Sequence, residues 1–152
     1  MKLKILFTII LFTFASLGSA DELRKAVDSE DRSEKNIVRD EFRKPYETLS
    51  FFQLEPDMTI VELSPGGGWY TEILANFIRK SGNLIAAHFS KDSDRAYFRN
   101  SRINFEKKVK ENSLYEKVRV VDLNSKLSDP SSVDAVLTFR NLHNWLGPNM
   151  DK

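Results

Sequence analysis

The sequence predicts an α/β fold built around a parallel β-sheet. Short apolar runs rich in β-branched residues recur along the chain, and stretches with helical periodicity separate them. Strands that alternate with helices form βαβ units, in which right-handed crossovers leave the strands parallel. With 152 residues and 41% hydrophobic content, the chain is long and apolar enough for one domain with a buried core.

Four apolar runs supply the predicted strands. They lie at residues 58–63 (MTIVEL), 84–89 (LIAAHF), 118–123 (VRVVDL) and 133–139 (VDAVLTF). Each run is short and is bounded by charged or turn-forming residues, as expected of strands buried in a parallel sheet.

Helical spacing marks the stretches between the strands and the segment before them. Residues 69–80 and 92–111 predict two helices that cross between strands. The second helix has three predicted inward positions, Phe98, Phe105 and Val109. Residues 38–52 repeat apolar side chains every three or four positions, which predicts an amphipathic helix that Pro45 divides or restarts. Its predicted inward residues are Val38, Phe42, Tyr46, Leu49 and Phe52.

The first 20 residues have the three-part pattern of a secretory signal peptide. Lys2 and Lys4 precede an apolar run, and Gly18 and Ala20 occupy the −3 and −1 positions of a signal-peptidase site. The apolar run is short for a bilayer span, which favours cleavage over the alternative of an uncleaved membrane anchor. We therefore expect an exported chain, periplasmic or secreted, with no stable membrane anchor after cleavage.

Charge is concentrated in residues 21–37, which are poor in large apolar side chains. This composition predicts a solvated arm or an exposed helix. The predicted organisation is thus a signal peptide over 1–20, a charged arm over 21–37 and the folded domain over 38–152.

Charge balance and cysteine content exclude several classes of protein. The 23 lysines and arginines nearly equal the 22 acidic residues, which gives no reason to expect sequence-independent binding to nucleic acid. The chain contains no cysteine. Disulfide scaffolds, thiolate zinc sites, cysteine nucleophiles and lipid-anchored lipoproteins are therefore excluded.

A glycine turn follows the first predicted strand. Glu62 ends the apolar run, and Ser64 and Pro65 lead into three consecutive glycines, 66–68, and a predicted helix. Glycines permit positive φ and close approach of a ligand, and the helix start presents unpaired N–H groups. The spacing matches neither a P-loop nor a nicotinamide-binding turn, and the acid favours a cationic or hydroxyl-bearing ligand over a phosphate. The alternative is a purely structural turn.

The string VELSPGGG resembles the first motif of class I S-adenosylmethionine-dependent methyltransferases. Glu62 matches the motif acid, Gly66 and Gly68 match its second and third glycines, and Ser64 stands where the first glycine is usual. A longer pattern from Arg39 onward, including PGGGWYTE and TFRNLHNW, resembles a family of bacterial predicted methyltransferases that often begin with a signal peptide. The resemblance implies a Rossmann-like sheet of strand order 3-2-1-4 with S-adenosylmethionine across the carboxyl ends of the strands.

The resemblance also implies a set of site residues. The implied cofactor-binding residues are Glu62, Ser64, Gly66, Gly67, Gly68, His88, Asp122 and Asn141. His88 stands where an acid usually binds the ribose hydroxyls, and Asp122 matches the acid that meets the adenine amino group, with a turn-capping aspartate as the alternative. His143 is the candidate catalytic base, with packing or capping as its alternative. Trp69 and Tyr70 either stack on a ligand or pack their helix onto the sheet.

The implied function is transfer of a methyl group from S-adenosylmethionine to a small-molecule acceptor. Class I methyltransferases normally continue beyond the fourth strand, so the resemblance implies a domain whose C-terminal strands are missing. The fourth strand would then be an exposed apolar edge, and we expect self-association through it. The alternative function is an exported ligand-binding module of the same fold without catalysis, because export removes the chain from the compartment where the cofactor is made.

Export predicts a processed N-terminus. Mass spectrometry of the protein from its host is expected to find a mature chain that begins at Asp21. Recovery of only the intact chain from Met1, in a soluble cytoplasmic fraction, would contradict this prediction.

Overall fold

The computed structural model of the protein describes residues 18–146 and contains a parallel four-stranded sheet of order β3-β2-β1-β4. Its strands are β1 (Thr59–Leu63), β2 (Asn83–His88), β3 (Val118–Asp122) and β4 (Ala135–Thr138). The predicted α/β class, parallel sheet and strand order are confirmed, and the order is consistent with a Rossmann-like fold. Residues 1–17 of the predicted signal peptide lie outside the described residues.

Helices precede the sheet and connect its strands. Before β1 lie α1 (18–27), α2 (Glu34–Ile37), α3 (Asp40–Arg43) and α4 (Pro45–Phe51). The later helices are α5 (Trp69–Ile78) between β1 and β2, α6 (Ala96–Glu111) between β2 and β3, and α7 (Leu142–Trp145) after β4. The start of α6 is four residues later than predicted, because the hydroxyls of Ser90 and Ser93 accept backbone N–H bonds and form turns there.

The two faces of the sheet are covered differently. The order β3-β2-β1 means that both crossovers move in the same direction, so right-handed connections place α5 and α6 on one face. The main apolar cluster lies between this face and those helices, and includes Ile60, Leu84, Ile73, Leu74 and Phe105. On the opposite face, Val61, Ile85 and Ala87 pack against the segment between β3 and β4 through Leu127 and Val133. The edge strand β4 leaves Val136 60% exposed.

Residues 21–37 do not form a solvated arm. Leu23, Ala26 and Val27 of α1 are buried in the main apolar cluster. They occupy positions i, i+3 and i+4 of a helix, which is the spacing of one buried face, and the charged residues around them hide this pattern in the sequence. The buried Arg32 then donates to the Val27 carbonyl and forms a two-bond pair with Asp40, at 2.6 and 2.8 Å, which fixes the following segment.

The predicted amphipathic helix over 38–52 is two short helices. Lys44 separates them in the left-handed region, with φ of 46°, and Pro45 is the first residue of α4. A left-handed residue interrupts the helical repeat, so the predicted inward face is not continuous. Of the predicted inward residues only Leu49 is fully buried, whereas Phe42 is 81% exposed.

The N-terminal helix contributes to stability in this structure. Replacing Leu23 by Ala is expected to lower the free energy of unfolding by about 2–4 kcal/mol, because a buried side chain leaves a cavity. The matched control Phe42→Ala, at an exposed position that the sequence pattern places inside, is expected to change it by less than about 0.5 kcal/mol. Urea unfolding measures both, and equal effects would contradict the structure.

Candidate functional site

A cavity lies where the strand order of the sheet reverses. β2 and β3 lie on one side of β1, and β4 lies on the other, so the switch point falls between β1 and β4. Open α/β sheets bind ligands outside the carboxyl ends of the strands at this point. A cavity of about 480 Å³ opens there between the glycine turn and the chain that follows β4, lined by Ser64, Gly66, Gly67, Phe139, Arg140 and Asn141. We call it the switch-point cavity.

The carbonyl groups of the glycine turn are held from the protein side. The Phe89 N–H donates to Nδ1 of His88 at 2.7 Å, so the ring proton is on Nε2, which donates to the Gly66 carbonyl at 3.0 Å. Nζ of Lys108, from α6, donates to the Gly67 and Gly68 carbonyls at 3.2 and 3.4 Å. All three glycine carbonyls are therefore fixed by side chains from the sheet and from α6.

This anchoring leaves N–H groups free on the other side of the turn. In a planar trans peptide the carbonyl and N–H point in opposite directions, so the bond from His88 to the Gly66 carbonyl turns the Gly67 N–H away from the sheet. The N–H groups of Gly66 and Gly67 have no acceptor among residues 18–146. A Cβ added at either glycine would meet nothing within 4 Å. The turn therefore presents unpaired donors on its open side, next to the positive end of α5.

Gly66 and Gly68 are needed for different reasons. Both have positive φ, 59° and 79°, where a side chain is strained. At Gly66 the surroundings are open, so a side chain there would fill part of the switch-point cavity. At Gly68 a Cβ would lie 2.9 Å from the ring of Phe105, so the packing of α6 against the turn excludes it.

Two residues other than glycine also adopt a left-handed backbone conformation at the cavity. Ser64 follows β1 with φ of 54°, and Arg140 follows β4 with φ of 61°. Each conformation costs about 1–2 kcal/mol, and such strain concentrates at functional sites. Oγ of Ser64 is buried and has no hydrogen-bond partner among the described residues. The amide of Asn141 donates to the Ser64 carbonyl at 3.2 Å, which ties the two strained segments together.

Glu62 contacts α5 rather than the cavity. Its side chain is buried, and it accepts a 2.6 Å hydrogen bond from Oγ1 of Thr71 in the first turn of α5. Burial raises the pKa of this carboxyl to about 7, against the opposing effects of Thr71 and Lys108. The acid at the strand end thus joins β1 to α5, and it does not line the switch-point cavity, where it was expected to favour a cationic ligand.

His88 and Asp122 are engaged with their own chain. Both ring nitrogens of the fully buried His88 are used, and burial lowers its pKa, so no ring nitrogen is left for a ribose hydroxyl. Asp122 accepts a 2.9 Å bond from the Asn124 N–H, which is the turn-capping alternative. That bond, together with one from Ser90, lowers the Asp122 pKa.

The predicted aromatic residues pack within the protein, and the predicted catalytic histidine is exposed. Trp69 donates from Nε1 to the Asn36 carbonyl at 2.8 Å, and Tyr70 stacks on Phe139 with ring centroids 3.5 Å apart. Both therefore pack α5 against neighbouring elements, although Trp69 also lines the switch-point cavity. His143 lies exposed on α7 and lines no cavity next to the glycine turn.

A second cavity, of about 620 Å³, lies on the α6 side of the turn. The buried Glu72 bonds Nζ of Lys108 at 2.7 Å and Oγ of Ser33 at 2.8 Å, which joins α5 and α6 to the start of α2. Sequence reasoning misses Lys108, because nothing local in α6 indicates a contact with a turn some forty residues earlier. It also gives no role to Arg39, Arg43 and Arg140, which line the switch-point cavity.

No protein-family model matches the chain, and no curated protein matches it. Within residues 18–146, no helix has both the length and the apolar character needed to cross a membrane. In the same part of the chain, no three His, Asp or Glu side chains come together as a metal site. An assignment of function therefore depends on the glycine turn and the cavity beside it.

The raised pKa of Glu62 predicts a pH dependence of stability. The folded state binds the proton more tightly than the unfolded state, whose pKa is near 4.5, so the free energy of unfolding falls as pH rises from 4.5 through about 7. Glu62→Gln keeps an acceptor for Thr71 and removes this titration. We expect the variant to gain roughly 2–4 kcal/mol relative to the parent between about pH 5 and pH 8.

Urea unfolding across this pH range measures the difference. The control Glu47→Gln, at an exposed position on α4, is expected to follow the parent at every pH. If the free energy of unfolding of Glu62→Gln varies with pH in the same way as that of the parent, the buried carboxyl does not titrate with a raised pKa.

Proposed function

We propose that the chain binds S-adenosylmethionine in the switch-point cavity and transfers its methyl group to a small-molecule acceptor. One observation carries the proposal: the VELSPGGG turn, which resembles the methyltransferase motif, lies at the switch point of a 3-2-1-4 sheet, and the N–H groups of its Gly66 and Gly67 have no acceptor among residues 18–146. The fold alone is compatible with other ligands, so the proposal of S-adenosylmethionine depends on the turn and the cavity.

The residues present fit the cofactor. The open space beside Gly66 and Gly67 accepts a ligand in close contact with the backbone, as a glycine cradle requires. Their free N–H groups and the start of α5 suit the carboxylate of the cofactor's amino-acid end. Ser64 also lines the cavity, and its buried hydroxyl has no hydrogen-bond partner among the described residues.

The protein's part in the reaction is alignment. When bound, S-adenosylmethionine supplies an activated methyl group on a positively charged sulfur. The chain would hold the donor against the glycine turn and the acceptor opposite it, so that bond formation is favoured by proximity and orientation. In this scheme His88 and Lys108 are positioning residues, because they act by fixing the turn.

Ligand binding without catalysis is the second candidate function, and one observation favours it. The lining of the switch-point cavity contains no carboxylate, histidine or tyrosine that could accept a proton from an acceptor. Turnover then requires an acceptor that is already deprotonated or that loses its proton to water. We also propose export, on the N-terminal pattern alone.

Isothermal titration calorimetry with S-adenosylmethionine tests the proposed cofactor. The parent chain is expected to bind it more tightly than NAD or ATP, because the turn has the spacing of neither a nicotinamide site nor a P-loop. Gly66→Val is expected to weaken binding at least about tenfold, because a β-branched side chain is strained at this φ of 59° and fills the ligand space.

Gly66→Asn separates the two causes. Asparagine tolerates the left-handed region, so this variant is expected to fold and still to bind weakly. Circular dichroism and thermal melting establish folding of each variant. Unchanged affinity in folded variants, or no binding by the parent, would overturn the assignment.

A further inference from the structure

We infer that the acceptor is an acidic small molecule whose carboxylate or phosphate group is held by Arg39, Arg43 and Arg140 at the mouth of the switch-point cavity. The inference rests on the proposed function and adds the chemical class of the substrate. It follows from the charge of the cavity lining and from the absence of carboxylates that would neutralise it there.

The lining of the cavity is cationic. Lys35, Arg39, Arg43 and Arg140 contribute to it, and no aspartate or glutamate does. Within residues 18–146, none of these four cations lies within ion-pair distance of a carboxylate. Asp40 is next to Arg39 in the chain, but both of its oxygens are bound to Arg32.

The three arginines come from two parts of the fold. Arg39 directly precedes α3 and Arg43 is its last residue, whereas Arg140 follows β4. Partial burial, together with the charges of Arg39 and Arg140, lowers the pKa of Arg43. The Arg43 guanidinium is also placed over the ring of Trp69, 4.7 Å from its centroid. Three like charges that converge on one cavity repel one another, and a bound anion removes that cost.

Arg140 is held in a strained conformation at this place. Its φ of 61° is unfavourable for a side chain with a Cβ, and an asparagine or glycine would adopt it more easily. The strain is consistent with a requirement for a guanidinium at the carboxyl end of β4. Guanidinium groups bind carboxylates and phosphates through paired N–H bonds, which makes arginine suited to anchor either group.

The cofactor alone does not balance this charge. S-adenosylmethionine carries a carboxylate against an ammonium and a sulfonium, so it adds positive charge to a cavity that already holds four cations. A second ligand with negative charge would restore the balance. Arg39 and Arg140 are exposed and Arg43 is half-buried, so this group of side chains faces an acceptor that enters from solvent.

Calorimetric titrations of probe anions test the inference. Citrate serves as the carboxylate probe and inorganic phosphate as the phosphate probe, each titrated into the full chain saturated with S-adenosylmethionine. We expect at least one probe to bind, more weakly at higher salt. We expect Arg39→Gln and Arg140→Gly to weaken that binding at least about tenfold without weakening the binding of S-adenosylmethionine, because each variant removes a positive charge from a cavity that takes a positively charged cofactor. Glycine suits the backbone at position 140, so the second variant is expected to fold.

Arg79→Gln is the matched control, because it removes the same charge at the end of α5, where Arg79 pairs with Asp31. It is expected to bind both probes as the parent does. Probe binding that the two variants leave unchanged would overturn the inference and leave the proposed function standing. A loss of cofactor affinity as large as the loss of probe affinity would also overturn the inference, because the arginines would then bind the cofactor. Failure of the parent to bind S-adenosylmethionine would overturn the proposed function and the inference with it.

Discussion

The orientation of one peptide determines what this site can do. His88 is locked as the Nε2–H tautomer by the Phe89 N–H, and its proton holds the Gly66 carbonyl toward the sheet. The Gly67 N–H then faces the open side of the turn, where a ligand can reach it. Nζ of Lys108, from α6, bonds the next two carbonyls, those of Gly67 and Gly68. The site therefore depends on polar contacts that His88 and Lys108 make to the carbonyls of the turn.

Hydrogen bonds near the turn also affect the pKa values of the two buried carboxyls there, Glu62 and Glu72. Burial alone would raise the pKa of Glu72, but its hydrogen bonds to Lys108 and Ser33 keep it below the ordinary value. Glu62 has a single short bond, from Thr71, and its pKa rises instead. The two carboxyls lie on β1 and α5 and join these elements to α2 and α6, so the elements that carry the turn are held together by polar groups as well as by the apolar cluster.

The sequence predicts the positions of the four strands well, because each strand is a short apolar run that can be recognised from its own residues. It predicts Gly66 at positive φ because an L side chain is strained there. It fails for α1, where three buried residues are spread among charges, and for 38–52, where the left-handed Lys44 breaks the repeat. It also does not reveal the hydrogen bonds of His88 and Glu62, because a residue type at a strand end does not show whether the chain itself already uses its polar atoms.

The most direct test of this account is a nitrogen-15 NMR titration of the labelled chain with S-adenosylmethionine. The account predicts that the amide signals of Gly66 and Gly67 shift on binding, together with those of Arg140 and Asn141 across the switch-point cavity. Shifts confined to the second cavity, at residues such as Asn100 and Asn104 of α6, would contradict it, as would no shift at all.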